Sequence, residues 1–107
     1  MSVSGSWTLH WNFGCGNSYN QTALTFNNNG TFSGQFPGRW AQREGTMLLS
    51  FDSGPVKYGG TIDGNVGSGA STDWAGTNGC WYLIQQGVAG LAEAAAPEQA
   101  ADPGNAS

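Results

Sequence analysis

From Val3 to Gln86, apolar and polar residues alternate in short runs, and turn residues cut those runs about every 8–12 positions. The first run is the clearest. Trp7, Leu9, Trp11 and Phe13 fall on one face, with Thr8, His10 and Asn12 on the other, which is the two-residue period of a half-buried strand. The same alternation gives Leu24 and Phe26, then Phe32, Gly34 and Phe36, then Met47, Leu49 and Phe51, then Val56, Tyr58, Gly60 and Ile62. It predicts strands over roughly 3–13, 21–28, 31–36, 39–43, 46–52, 56–62, 66–72 and 80–86. The seventh, Val66 to Thr72, is nearly all small residues, which weakens its claim to be a strand but also fits close packing against bulky neighbours across the barrel. The breaks are short: Asn27-Asn28-Asn29-Gly30, Pro37-Gly38, Glu44-Gly45, Ser53-Gly54-Pro55 and Asp63-Gly64. Strands joined by such turns form an all-β, up-and-down antiparallel meander, and about eight of them hide their edges by closing into a small barrel.

In a meander the turns alternate between two ends. The turns at 27–30, 44–45 and 63–65 share one end with the first strand's start, and all are tight. The segments 14–20, 37–38, 53–55 and 73–79 share the other end, which therefore carries the two longest loops. Cys15 and Cys80, the two cysteines, fall at that second end, just after the first strand and at the start of the last. Those strands must meet to close the barrel, so the topology brings the pair together. A Cys15–Cys80 bridge would stabilise the fold by roughly 4 kcal/mol through the unfolded chain; two separate thiols are the alternative. A bridge implies an oxidising compartment, secreted or periplasmic, and reduced cysteines a cytoplasmic one. Met1-Ser2-Val3 leads directly into the first strand with no visible signal peptide, which conflicts with the oxidising compartment and agrees with reduced cysteines.

Composition narrows the partners. The 107 residues make one domain, with only 9% charged residues and 18 glycines. The net charge of −4 is concentrated after the barrel, where Glu93, Glu98 and Asp102 lie. Within the barrel Glu44, Asp52, Asp63 and Asp73 face Arg39, Arg43 and Lys57, which is no cationic footprint for nucleic acid or anionic lipid. No apolar run approaches the roughly 18–20 residues of a membrane helix, and the strands after the first are shorter than the about 9–11 residues of a lipid-facing barrel and have one polar face, so no membrane span is expected. Residues 87–107 are rich in Ala, Pro, Glu and Gly and lack aromatic residues. They read as a flexible tail beyond a barrel domain of residues 1–86, with at most a helical turn over Leu91–Ala96 before Pro97.

Candidate chemistry is sparse. His10 falls on the outward face of the first strand and has no nucleophile motif beside it. The cysteines lack zinc spacing, Gly67-Ser68-Gly69 precedes no helix, and Asp63-Gly64-Asn65 is a turn rather than a calcium loop. Asp52 and Asp73 fall near one rim as solvated loop acids. No catalytic residue, metal or cofactor is expected. The Cys15–Cys80 rim instead gathers aromatic and amide side chains, the pair that covers a ligand's apolar face and fixes its polar atoms. Trp11, Tyr19, Trp40 and Trp74 are the expected apolar contacts, with Asn12, Asn17 and Asn78 as hydrogen-bonding partners, for a small hydrophobic or amphipathic ligand. Inward positions Trp7, Trp11, Phe13, Phe26, Phe32, Phe36, Trp40, Phe51, Tyr58 and Trp81 supply enough rings to fill an eight-stranded interior, so a filled core and a cavity both stand.

Gly5-Ser6-Trp7 matches the G-x-W signature of the lipocalins, and Thr25-Phe26-Asn27-Asn28-Asn29-Gly30-Thr31-Phe32 looks like the hairpin of small bacterial lipocalin-like domains. Together they resemble the calycin group, the lipocalins and avidins. The resemblance implies an up-and-down barrel that binds a small molecule at its open end, with Trp7 plugging the closed end. Thr8-Leu9-His10-Trp11 follows the motif in place of the polar biotin ligands of avidins. Three functions are therefore carried forward. The first is a non-catalytic small-molecule-binding module, the second a protein-binding barrel such as a protease inhibitor, and the third a small calycin-like cyclase or isomerase using a barrel pocket.

Overall fold

A computed structural model describes residues 4–86 and 103–104. Among these the chain forms eight strands: β1 (Gly5–Phe13), β2 (Asn20–Phe26), β3 (Thr31–Gly34), β4 (Gly38–Arg43), β5 (Thr46–Phe51), β6 (Lys57–Asp63), β7 (Val66–Thr72) and β8 (Asn78–Gln85). Each pairs antiparallel with its neighbour, and β1 pairs with both β2 and β8, so the sheet closes into a barrel. The period-two pattern dictates this, because each strand has one apolar face to bury and closure leaves no unpaired edge. Among the described residues no helix is long and apolar enough to cross a membrane.

The interior is built of rings in contact. Trp7 of β1 meets Phe26 of β2 at 6.2 Å, and Phe26 meets Phe32 of β3 at 5.7 Å. Phe32 meets Phe51 of β5 at 5.0 Å, Phe51 meets Tyr58 of β6 at 5.2 Å, and Tyr58 meets Trp81 of β8 at 6.1 Å. Most are edge-to-face or tilted, the arrangement favoured by the ring quadrupole. Leu9, Leu24, Met47, Leu49, Val56, Ile62 and Leu83 fill the remainder, and Phe13, Phe36 and Trp40 pack half-buried against it.

Two of these contacts skip a strand, and the skipped strands explain the small residues. Phe32 and Phe51 touch across β4 because β4 begins with Gly38, where a Cβ would lie 2.6 Å from the Phe32 ring and 2.2 Å from the Ser50 carbonyl oxygen. Tyr58 and Trp81 touch across β7, whose inward positions are Gly67, Gly69 and Ser71. Gly69 lies against Gly60 of β6 so closely that a Cβ on either would come within 2.7 Å of the other's Cα, a tight corner of the kind barrels need.

Cys15 and Cys80 form a disulfide with Cα atoms 5.0 Å apart. It fastens the loop after β1 to β8 next to the register pair Asn12–Cys80. Residues 87–102 and 105–107 of the expected tail, including the helical turn at 91–96, lie outside the described residues. Pro103 and Gly104 of that segment are buried.

Removing the bridge by a double Cys15→Ser, Cys80→Ser change should cost about 4 kcal/mol, read by denaturant unfolding, since it releases a 65-residue loop in the unfolded chain. Trp7→Ala should cost roughly 3–5 kcal/mol. Gly38→Ala should cost about 1–3 kcal/mol by overpacking, although alanine is the better strand former.

Candidate functional site

The rim beside the disulfide is shaped by local hydrogen bonds. Gly14 and Cys15 adopt left-handed backbone angles, φ 96° and 58°, which turn the chain back over β1. Asn12 holds the loop that follows: its Oδ1 accepts from the Gly16 amide at 3.1 Å and its Nδ2 donates to the Ser18 carbonyl. The Asn78 carbonyl accepts from the Gly14 amide at 2.8 Å. On the other long loop, Asp73 Oδ1 accepts from the amides of Ala75 and Thr77 at 3.0 and 2.9 Å. Asp73 is thereby a turn-forming acid, and the loop it closes lifts Trp74 outward to 86% exposure.

Trp11 lies below this rim, fully buried, with Phe36 edge-on at 6.4 Å and Phe13 one inward step nearer the rim. Among the described residues no group accepts a hydrogen bond from its Nε1–H. The contrast with the other polar rings is instructive. Trp81 Nε1 donates to the Ala70 carbonyl at 2.9 Å, and Tyr58 Oη donates to the Pro103 carbonyl. Trp40 Nε1 donates to the carbonyls of Asn27 and Thr31 at 3.0 and 2.9 Å.

The rim thus brings together the elements bearing Trp11, Asn12, Asn17, Trp74 and Asn78; Asn17 and Asn78 are exposed, while Asn12 is spent on its loop. Two expected contacts lie elsewhere. Trp40 anchors its indole at the 27–31 turn, on the end opposite the disulfide. The cause is stagger: β3 pairs with β4 only through Thr31–Arg39 and Phe32–Gly38, so Trp40 sits beside Gly30, to whose carbonyl its amide donates at 2.9 Å. Tyr19 leans on Tyr82 at 5.3 Å, and Tyr82 stacks on His10 at 4.1 Å and 7°. His10 is on the outward face of β1, yet that stack helps bury it to 2% exposure.

Two features went unread in the sequence. The outer wall carries Ala41, Leu48, Gly59 and Ala70 in one register row, with Leu48 52% exposed and grooves of about 350 and 500 Å³ on either side of it. Leu48 breaks the alternation of Met47-Leu48-Leu49, which was the available signal. The second is Pro103–Gly104, whose carbonyls bond to Tyr58 and Val56; Asp102-Pro103-Gly104-Asn105 is a turn-forming tetrad that marked it. Among the described residues no group of three or more His, Cys, Asp or Glu is placed to hold a metal ion.

These features define a small, disulfide-clasped, closed antiparallel β-barrel with an aromatic interior and polar loops at one rim. No protein-family model matches the chain, and no curated protein matches it in sequence.

Trp74→Ala should leave stability within about 0.5 kcal/mol of the parent in denaturant unfolding, because the ring is in solvent. A larger loss would make Trp74 part of the packing of the rim.

Proposed function

We propose that this barrel is a non-catalytic binding module of the calycin type that takes a small hydrophobic or amphipathic molecule at the Cys15–Cys80 rim. The Trp11 indole N–H carries the reading. A buried donor without an acceptor costs about 1–3 kcal/mol, and native interiors rarely keep one without a partner. An acceptor oxygen on a ligand seated over Trp11, between Phe13 and Phe36, would satisfy it. The packed interior below supports a ligand that is small and sits near the mouth. The resemblance adds two points. Trp7, the G-x-W tryptophan, is buried against Phe26, and Phe26 and Phe32 of the lipocalin-like hairpin pack edge-to-face.

A protein partner is the second reading, favoured by the exposure of Trp74 and of Leu48 on the outer wall. Large exposed apolar side chains near polar loops are what interfaces use as anchors.

Native mass spectrometry of the purified chain should show a co-purified small molecule. Titration with 8-anilinonaphthalene-1-sulfonate, an amphipathic probe with acceptor oxygens, should show one saturable site. Trp11→Phe, which keeps a ring but removes the N–H, should weaken that site at least tenfold, or about 1.4 kcal/mol. No saturable binding, or equal affinity in parent and variant, would sink the small-molecule reading and leave the protein-partner one.

A further inference from the structure

We infer that the segment from Phe51 to Tyr58 is a recognition site for a Pro-Gly peptide, filled in this structure by the chain's own Pro103–Gly104. The inference does not depend on a ligand at Trp11. Two donors meet two consecutive carbonyls: Tyr58 Oη donates to Pro103 O, and the Val56 amide donates to Gly104 O at 3.1 Å. With Pro103–Gly104 seated, Val56 and Tyr58 are each 1% exposed, so both hydrogen bonds are shielded from water, where a matched acceptor counts most. Both residues of the seated dipeptide are buried.

The groove selects its occupant by shape. A Cβ on Gly104 would lie 2.4 Å from Phe51 Cβ and 2.5 Å from Ser53 Oγ, so only glycine fits without moving β5 or the turn that follows it. Close approach imposes this requirement, since Gly104 is not among the left-handed glycines. Proline suits the preceding position because it has no N–H to satisfy and arrives with its φ already fixed. Two acceptors, one missing donor and one missing side chain make a chemical description of the ligand: a Pro-Gly step in a peptide.

The occupant is tethered. Gln86 is held at the far end of the barrel, where its amide donates to the Ser6 carbonyl. At roughly 3.3–3.6 Å per residue, the chain from 87 to 102 is long enough to carry the dipeptide to the 51–58 rim of the same molecule. Tethering gives an effective concentration on the order of millimolar, so a free peptide competes in the parent only at comparable concentration. Gly104→Val, which cannot seat, opens the groove to a peptide supplied from outside.

The test uses the full chain and follows amide hydrogen exchange. In Gly104→Val the Val56 amide should exchange at least tenfold faster than in the parent, while β1 and β8 keep parental rates and Ala106→Val changes nothing. Tyr58→Phe, which removes one donor and keeps the ring, should give a smaller acceleration at Val56. A synthetic peptide with the sequence of residues 102–107 should restore protection to Gly104→Val saturably, and the same peptide with valine at the glycine position should not. Equal exchange at Val56 in parent, Gly104→Val and Tyr58→Phe would overturn the inference. So would equal rescue by both peptides, or an Ala106→Val effect as large as that of Gly104→Val. Protection that rises with protein concentration alongside a dimer mass would overturn occupancy by the same chain.

Discussion

The contact on which the rest of the structure depends is the ring-to-ring course from Trp7 through Phe26, Phe32, Phe51 and Tyr58 to Trp81. An eight-stranded barrel has an interior just wide enough for side chains, and large rings fill it with few residues. That choice constrains the strands between. Where two rings must touch across a strand, the strand gives up its inward side chains: Gly38 between Phe32 and Phe51, and Gly67, Gly69 and Ser71 between Tyr58 and Trp81. The weak-looking β7 is thus a consequence of strong neighbours, and its glycines also make the corner with β6.

A core saturated with rings leaves the two ends to differ in their loops. The disulfide holds the β1–β2 loop to β8, and Asn12 and Asp73 fold the two long loops with their side-chain oxygens. At the opposite end the turns are short, and the 27–31 turn is closed over Trp40 by two carbonyl acceptors. The asymmetry between the ends therefore follows from loop length.

Much of this was legible in the chain, for a physical reason. Two-residue periodicity reports which face of a strand is buried, and closure then follows from edge avoidance, so the strands, the Cys15–Cys80 pairing and the core rings could all be read. Stagger between strands has no such signature. Trp40 follows Gly38 and reads as a rim residue, but the offset of β3 against β4 carries it past the 27–31 turn. Solvent exposure was equally hidden at His10: the alternation gave its face, while the Tyr82 ring over it comes from register with β8. Asn12 looked like a free amide because a six-residue hydrogen bond to Ser18 leaves no periodic trace. Pro103–Gly104 sat in a segment without aromatic residues, where composition reads as tail and only the turn-forming tetrad marks a docking step.

The two ring donors near the rim divide its chemistry. Tyr58 belongs to the ring course and also gives its hydroxyl proton to a carbonyl of the chain itself; Trp11 pairs in register with Trp81, the next ring along, and gives its N–H to none of the described residues. The difference lies in what can reach each position. Tyr58 opens onto the short turn after β5, which admits a backbone with no side chain and a proline with no N–H. Trp11 lies beneath the long, disulfide-held loops, beside Phe13 and Phe36, which are only half-buried. Backbone carbonyls suit a narrow groove because they bring an acceptor without bulk. The two donors thus differ in their surroundings: Tyr58 meets the chain's own carbonyl at a short turn, while Trp11 lies under two long loops with half-buried rings beside it.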